Sequence, residues 1–157
     1  TMAAHGIHLE FVQDNFSLSA AKGTVRGLHF QTAPFAQDKL VQVVSGAIWD
    51  VAVDLRRGSP WFGQHVAAEL SADNWSQLLV PVGFAHGFCT LAPDTAVMYR
   101  VTRHYSREHD HGVLWNDPAL EINWPVNVAD ALLSNKDQKL PHLSDCATLF
   151  DYPVTAD

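Results

Sequence analysis

No apolar run in this chain approaches the roughly 20 residues that a membrane-spanning helix needs. The opening TMAAHGIHLEF has neither the basic start nor the apolar stretch of a secretory signal. A cytoplasmic protein with no membrane partner is the expectation. Cysteine is nearly absent: Cys89 and Cys146 are far apart and form no CxxC pattern, so reduced thiols are expected rather than a disulfide framework. Positive charge is scarce, with 10 Lys and Arg against 17 Asp and Glu. That argues against a sequence-independent hold on nucleic acid, which needs a basic face. Any phosphate bound here has to meet a local cation cluster, and this singles out Arg26 and Lys39. Internal repeats, low-complexity segments and a dividing linker are lacking too, so residues 1–157 are read as a single domain.

What the chain does contain is strand signal. KLVQVVSGAIWDVAVDLR holds two β-branched runs joined by Ser45-Gly46, which predicts strands from Lys39 to Val44 and from Ala47 to Leu55 joined as a hairpin. RRGSPWFG and ADNW punctuate the segments QHVAAELS and SQLLVPVG, and further strand candidates lie in AHGFCTLA, AVMYRVTRHY and LEINWP. Short strands at even spacing predict an antiparallel barrel or a double-sheet sandwich. Helical periodicity is confined to VADALLSNKDQ, a short helix or helical turn, and LPHLSDCATLFDYPVTAD reads as an irregular tail.

Alternation along the strands assigns faces. Tyr99 shares an apolar row with Val97 and Val101, His86 aligns with Phe88 and Thr90, and His29 aligns with Val25 and Gln31. Trp49, Val51 and Val53 oppose Asp50, Ala52 and Asp54. In GTVRGLHFQ a regular strand puts Arg26 and His29 on opposite faces, and only a bulge at Gly27 brings them together. A lone inward histidine is most often a hydrogen-bonded structural residue. Two histidines, a tyrosine and Lys39 in apolar rows fit a barrel that keeps a cavity and lines it with a few polar groups for one ligand. The five tryptophans (Trp49, Trp61, Trp75, Trp115 and Trp124) are read as core and turn packing rather than as a carbohydrate platform.

In order and spacing, VRGLHFQ, KLVQVVSGAIWDVAVDLRRGSPWFG, PVGFAHGF, MYRVTRHYS and WNDPALEINWP closely resemble the dTDP-4-dehydrorhamnose 3,5-epimerase family, a branch of the cupin superfamily. The likeness runs from FVQDN to the NKD ending at Asp137. It implies an all-β, cupin-type jelly-roll barrel with a short helical C-terminal segment. It also implies a homodimer that inverts carbons 3 and 5 of a dTDP-linked 4-keto-6-deoxyhexose without metal or other cofactor. The family's catalytic base falls on His29, its partner carboxylate on Asp137, its proton-donating tyrosine on Tyr99 and the lysine beside the reacting ketone on Lys39. Among substrate-binding positions, Arg26 takes the diphosphate-holding place, His86 matches the FAHGF histidine, and Gln13, Asn15 and Tyr105 match nucleotide contacts. Relatives carry further strands upstream of FVQDN, so the resemblance implies a domain without those lead-in strands. The aromatic pair usual after the strand bearing Tyr99 reads His104-Tyr105 here.

The residue types suit that chemistry on physical grounds. Removing the proton beside a ketone leaves an enolate, for which a neutral imidazole near pH 7 is a matched base worth about 10² to 10⁴ in rate. A carboxylate on the far ring nitrogen fixes the tautomer and stabilises the imidazolium. Asp137 reaches His29 only if the C-terminal segment folds back over the barrel mouth. A lysine at the developing oxyanion contributes roughly 10² to 10³, and a tyrosine is acid enough to protonate an enolate. Three rival readings remain. One is an epimerase acting on carbon 3 alone, and another is a non-catalytic nucleotide-sugar-binding cupin. The third is a metal-dependent cupin, suggested by Pro81, Gly83 and His86 in PVGFAHG but short of ligands where HFQ stands. His104, His109 and His111 are read as part of a solvated loop.

Overall fold

A computed structural model describes residues 2–147 and 149–153. Eleven strands follow in order: β1 (Gln13–Ser19), β2 (Val25–Gln31), β3 (Lys39–Ser45), β4 (Ala47–Asp54), β5 (Arg56–Arg57), β6 (His65–Ser71), β7 (Gln77–Val80), β8 (Phe84–Thr90), β9 (Thr95–Val101), β10 (Asp110–Gly112) and β11 (Phe150–Asp151). They form a four-stranded sheet ordered β1-β9-β3-β7 and a five-stranded sheet ordered β10-β2-β8-β4-β6, with β5 and β11 paired separately. The pairs within both large sheets are antiparallel. This is the jelly-roll sandwich expected of a cupin.

The two sheets close on a core of Val41, Val43, Val80 and Val97 from one side and Ile48, Ala52, Leu70 and Phe88 from the other. β-Branched residues dominate because they pack well on a pleated surface. The outer face of the five-stranded sheet is covered as well: Leu28, Phe30, Val51, Val53 and Ala85 pack with Val113 and Leu120, and Leu143, Cys146, Leu149 and Phe150 lie against them. Both faces of that sheet are therefore dry. This explains why β4 and β8 read as nearly continuous apolar runs rather than as clean alternation.

Three expectations need correction. Ser45-Gly46 does not close a hairpin, because β3 pairs with β7 and β9 while β4 pairs with β6 and β8; the turn carries the chain from one sheet to the other. Gly46 has φ of 76°, and a Cβ there would lie 2.3 Å from the Thr95 hydroxyl, so the crossing demands glycine. LEINWP forms no strand: Leu120 ends a 3₁₀ turn, Pro118–Leu120, capped by the Asp117 side chain, which accepts from the Ala119 N–H. The short helical C-terminal segment is present as 3₁₀ turns at Asp137–Lys139 and Leu143–Asp145, the first beginning within VADALLSNKDQ as the helical turn read there. The tail is not wholly irregular. β11 pairs in parallel with β5, and the Arg56 guanidinium sits over the rings of Phe84 and Tyr152.

The remaining side-chain readings fare as follows. Both cysteines are free thiols. Trp115 and Trp124 pack edge to face at 5.8 Å, Trp49 lies against the outer core, and Trp61 and Trp75 are exposed near turns. The histidines of RHYSREHDHG take separate partners: His109 stacks on Phe35, His111 lies in β10 against Phe30, and His104 approaches Gln13. That segment is thus partly strand, not only solvated loop.

Candidate active site

The bulge at Gly27 decides what β2 presents. Arg26 pairs with Phe88 and His29 with His86, so three steps along β2 match two along β8. The extra residue is Gly27, with φ of 115°, and a Cβ on it would lie 2.7 Å from the Gly87 Cα and the His86 carbonyl. Glycine is therefore required at this point of strand contact. The bulge resets the alternation. Val25, Leu28 and Phe30 pack outside, whereas Arg26, His29 and Gln31 turn inward, so the expected alignment of His29 with Val25 fails.

Between the sheets, at one end of the barrel, lies a cleft of two adjoining lobes. The first, about 340 Å³, is lined by Arg26, His29, Lys39, His86, Tyr99 and Asp137, with Phe16, Ser17, Phe88, Ser134 and Lys136. The second, about 250 Å³, shares His29, Lys39, Tyr99 and Lys136 and adds Gln13, Asn15, Tyr105 and Asp110. All nine residues singled out in the sequence line one lobe or the other. The five-stranded sheet contributes the two histidines and Arg26, while the four-stranded sheet contributes Lys39, Tyr99, Gln13 and Asn15.

The C-terminal segment does fold back. Leu132 bridges to Thr24 beside β2, which delivers Asp137 to the mouth. His29 Nε2 lies 2.6 Å from Asp137 Oδ1. A carboxylate only accepts, so Nε2 carries the hydrogen and Nδ1 is left as the basic nitrogen. Burial pushes the Asp137 carboxyl upward, but hydrogen bonds from His29, Ser134 and the Gly27 N–H outweigh it and hold the group below its usual value. A second dyad stands beside the first: His86 Nε2 lies 2.7 Å from Asp50 Oδ1.

Lys39 is 9% exposed, with its ammonium 3.5 Å from the His29 carbonyl. Desolvation lowers its pKa from 10.5 to about 8, although Asp110 and Asp50 pull it upward. Tyr99 is raised, chiefly by burial. Its hydroxyl makes no hydrogen bond to a described residue and is free for a ligand. Arg26 lies at the rim, donating to the Ser19 hydroxyl and the Leu18 carbonyl at 3.3 Å each. In the second lobe Gln13 donates to Asn15 at 2.7 Å, and the Tyr105 hydroxyl donates to Asp110 at 3.0 Å. Asp110 also pairs with Lys136.

Sequence reasoning missed Asp50, Asp110, Ser134 and Lys136 as parts of the site. Asp50 left a signal: an aspartate amid IWDVAV has to be buried and therefore has to be partnered. Asp110 and Lys136 left none, because charges in polar stretches such as REHDHG and SNKDQ are commonplace. Among the described residues no group of three or more His, Cys, Asp or Glu converges as a metal site.

A two-sheet barrel with a polar cleft at one end is the architecture of the cupin class. Comparison with known proteins carries this further. The family described as dTDP-4-dehydrorhamnose 3,5-epimerase matches residues 1–145. An enzyme of that name from Sinorhizobium fredii is 57% identical over 141 residues, covering 90% of this chain and 72% of its own. The crystal structure of dTDP-4-dehydrorhamnose 3,5-epimerase from Bacillus anthracis, with TDP and PPi bound, aligns with a TM-score of 0.87 at 59% identity, over 90% of this chain and 79% of that one. The dTDP-6-deoxy-D-glucose-3,5-epimerase of Legionella pneumophila, in complex with dTDP-4-keto-L-rhamnose, aligns with a TM-score of 0.89 at 43% identity, over 96% and 79%. The chain belongs to the dTDP-4-dehydrorhamnose 3,5-epimerase family.

Proposed function

We propose that this protein inverts carbons 3 and 5 of dTDP-4-keto-6-deoxyglucose, giving dTDP-4-keto-L-rhamnose for deoxysugar synthesis. The observation that carries this reading is the pairing of His29 with Asp137 in one cleft with Tyr99 and Lys39. His29 Nδ1 takes the proton from the carbon beside the ketone, and Asp137 stabilises the resulting imidazolium. The electron pair moves onto the ketone oxygen, where Lys39 meets the enolate charge. Tyr99 returns a proton to the other face of the carbon. His29 and Tyr99 belong to opposing sheets, which supports the role of each, since inversion requires removal and delivery from opposite sides. Arg26 holds the diphosphate at the rim, His86 borders the sugar, and Gln13, Asn15 and Tyr105 bind the nucleotide. No step calls for a metal or other cofactor.

The domain works as a cytoplasmic homodimer on this reading. Support for the dimer comes from Phe16 and Leu18, 69% and 71% exposed on the edge strand β1; a row of that kind invites a partner. Support for the compartment comes from the two free thiols. A single domain is supported by the core that both sheets share.

The test is incubation with dTDP-4-keto-6-deoxyglucose in D₂O after chelator treatment, following deuterium entry at carbons 3 and 5 by NMR. Exchange at both carbons is expected. Exchange at carbon 3 alone makes the enzyme a mono-epimerase, and absence of exchange refutes the reading. His29→Ala is expected to bind the nucleotide sugar and lose exchange by about 10² to 10⁴; undiminished exchange removes His29 as the base.

A further inference from the structure

Asp50 is a carboxylate with no exposed surface, set in β4 between residues that face the apolar core. One of its oxygens meets His86 Nε2 at 2.7 Å, and the other, Oδ2, has no hydrogen-bond partner among the described residues. An ionised group so placed is costly to desolvate, and a buried carboxylate–imidazole pair commonly contributes no more stability than apolar residues of similar volume in place of both partners. Packing therefore does not account for it. The place where its charge does act is the cleft. His86 is the direct cross-strand partner of His29, so two carboxylate-backed imidazoles stand side by side on the five-stranded sheet, facing Lys39 and Tyr99 on the other. Standing on the same sheet as the proposed base, His86 is poorly placed to deliver a proton to the opposite face of the sugar. It is well placed to meet the ketone oxygen.

We propose that Asp50 is a positioning residue: through His86 it fixes a second imidazole with Nδ1 turned to the reacting ketone, and its charge keeps the neighbouring Lys39 ammonium in place for the enolate. This rests on the epimerase reading above. The Asp50 carboxylate accepts a hydrogen bond from Nε2–H, so Nδ1, which no described residue occupies, remains for the substrate. As negative charge develops on the ketone oxygen, the imidazolium form of His86 donates its Nδ1–H to that oxygen while its Nε2–H stays on Asp50, whose charge stabilises the cation, as in other carboxylate–imidazole pairs. Lys39 senses Asp50 from β4, Asp110 from β10 and Lys136 from the C-terminal segment. His29, Tyr99 and Asp137 complete the cleft around it. Two carboxylates therefore hold the ammonium against its own desolvation, and only Asp50 is fully buried.

Two variants and two readouts test this. Asp50→Asn keeps an acceptor for Nε2 and removes the charge, while Asp50→Leu removes both. With lysine labelled at Cε, NMR titration is expected to place the Lys39 midpoint lower in Asp50→Asn than in the wild type. The alkaline limb of the pH profile for deuterium exchange should move down with it. Exchange at pH 8 should fall about 10- to 100-fold, less than the loss of a whole preorganised donor. Nitrogen-15 spectra of the histidines should show His86 protonated at Nε2 in the wild type, with that preference lost in Asp50→Leu. A Lys39 midpoint unmoved in Asp50→Asn, with exchange within twofold of wild type across the pH range, overturns the proposal. So does a lowered melting temperature accompanied by an unchanged pH profile, the mark of a purely structural group. Should the wild type show no exchange, the epimerase reading fails, and the Lys39 and His86 spectra still decide whether Asp50 governs these two groups.

Discussion

Replacing Lys39 by methionine should make the protein more stable and nearly inactive at once. Lys39 opens β3, paired with Val80 on β7 and Val101 on β9, and its ammonium is held in a cleft with little access to water. Its pKa falls from 10.5 to about 8, with desolvation as the largest cause. At ~1.4 kcal/mol per tenfold change in proton affinity, the charged form costs about 3 kcal/mol in the folded state. The sign follows from linkage: a lysine whose folded pKa is depressed binds fewer protons when folded, so stability rises with pH between about 8 and 10.5. Below pH 8 the whole penalty is present. Above 10.5 both states are neutral and it vanishes.

Methionine preserves the length of the stem and fills irregular space without a charge. Lys39→Met is therefore expected to gain up to about 3 kcal/mol at pH 7, the gain shrinking as pH passes from 8 to 10.5. Urea unfolding at a series of pH values measures this as a shift in midpoint at constant m. Deuterium exchange should meanwhile drop by about 10² to 10³, the worth of one preorganised donor at an oxyanion. A variant no more stable than wild type at pH 7, or a stability difference that stays flat up to pH 10.5, refutes the desolvation argument. Retained exchange refutes the assignment of Lys39 to the oxyanion.

Tyr99→Phe removes a hydroxyl that bonds to no described residue, so its melting temperature should match wild type while formation of the fully inverted product falls at least tenfold, read by NMR of the products. Asp137 has a depressed pKa, so its stabilisation is complete above the unfolded value of 3.8 and is lost as pH falls through the lower folded value. Asp137→Asn should accordingly trail wild type in urea midpoint at neutral pH and converge with it below about pH 4. Gly27→Ala drives a Cβ to 2.7 Å from the β8 backbone at positive φ, and should cost more than about 3 kcal/mol with loss of exchange, or fail to fold. Arg26→Gln should raise KM for the nucleotide sugar at least tenfold, with a smaller change in kcat and in stability, since the side chain lies at the exposed rim.

The sequence made the inward side chains legible and left their partners less so. Tyr99, Val97 and Val101 could be placed by alternation because β9 has one wet face and one dry face. The same rule failed for His29 and Val25, because one glycine changed the phase of β2 partway along. GTVRGLHFQ does contain the signal, a glycine inside an apolar strand, but the direction of the change depends on Gly87 across the sheet. Ser45-Gly46 shows the limit in another form. A turn glycine between two strands is equally compatible with a hairpin and with passage between sheets, and the choice depends on β7 and β9, more than 30 residues downstream. Asp110 and Lys136 were hidden for a similar reason: the polar stretches that carry them are ordinary in sequence and meet only in the folded cleft.

The division of the cleft between two sheets bears directly on the proposed chemistry. A planar enolate has two faces, and an enzyme that inverts a carbon needs a base on one and an acid on the other, held apart while the sugar lies between them. Groups on one strand or one loop would tend to approach from a single side. In this fold the imidazole of His29 and the phenol of Tyr99 are fixed to separate sheets by extended backbone, and their spacing is set by the core beneath, where Val41, Val97 and Phe88 pack. The bulge at Gly27 turns His29 inward without disturbing β8, and the returning C-terminal segment adds the carboxylate last. Rigidity at the floor and late completion at the rim together account for a site whose base is positioned by strands but whose tautomer is set by Asp137, more than 100 residues later in the chain.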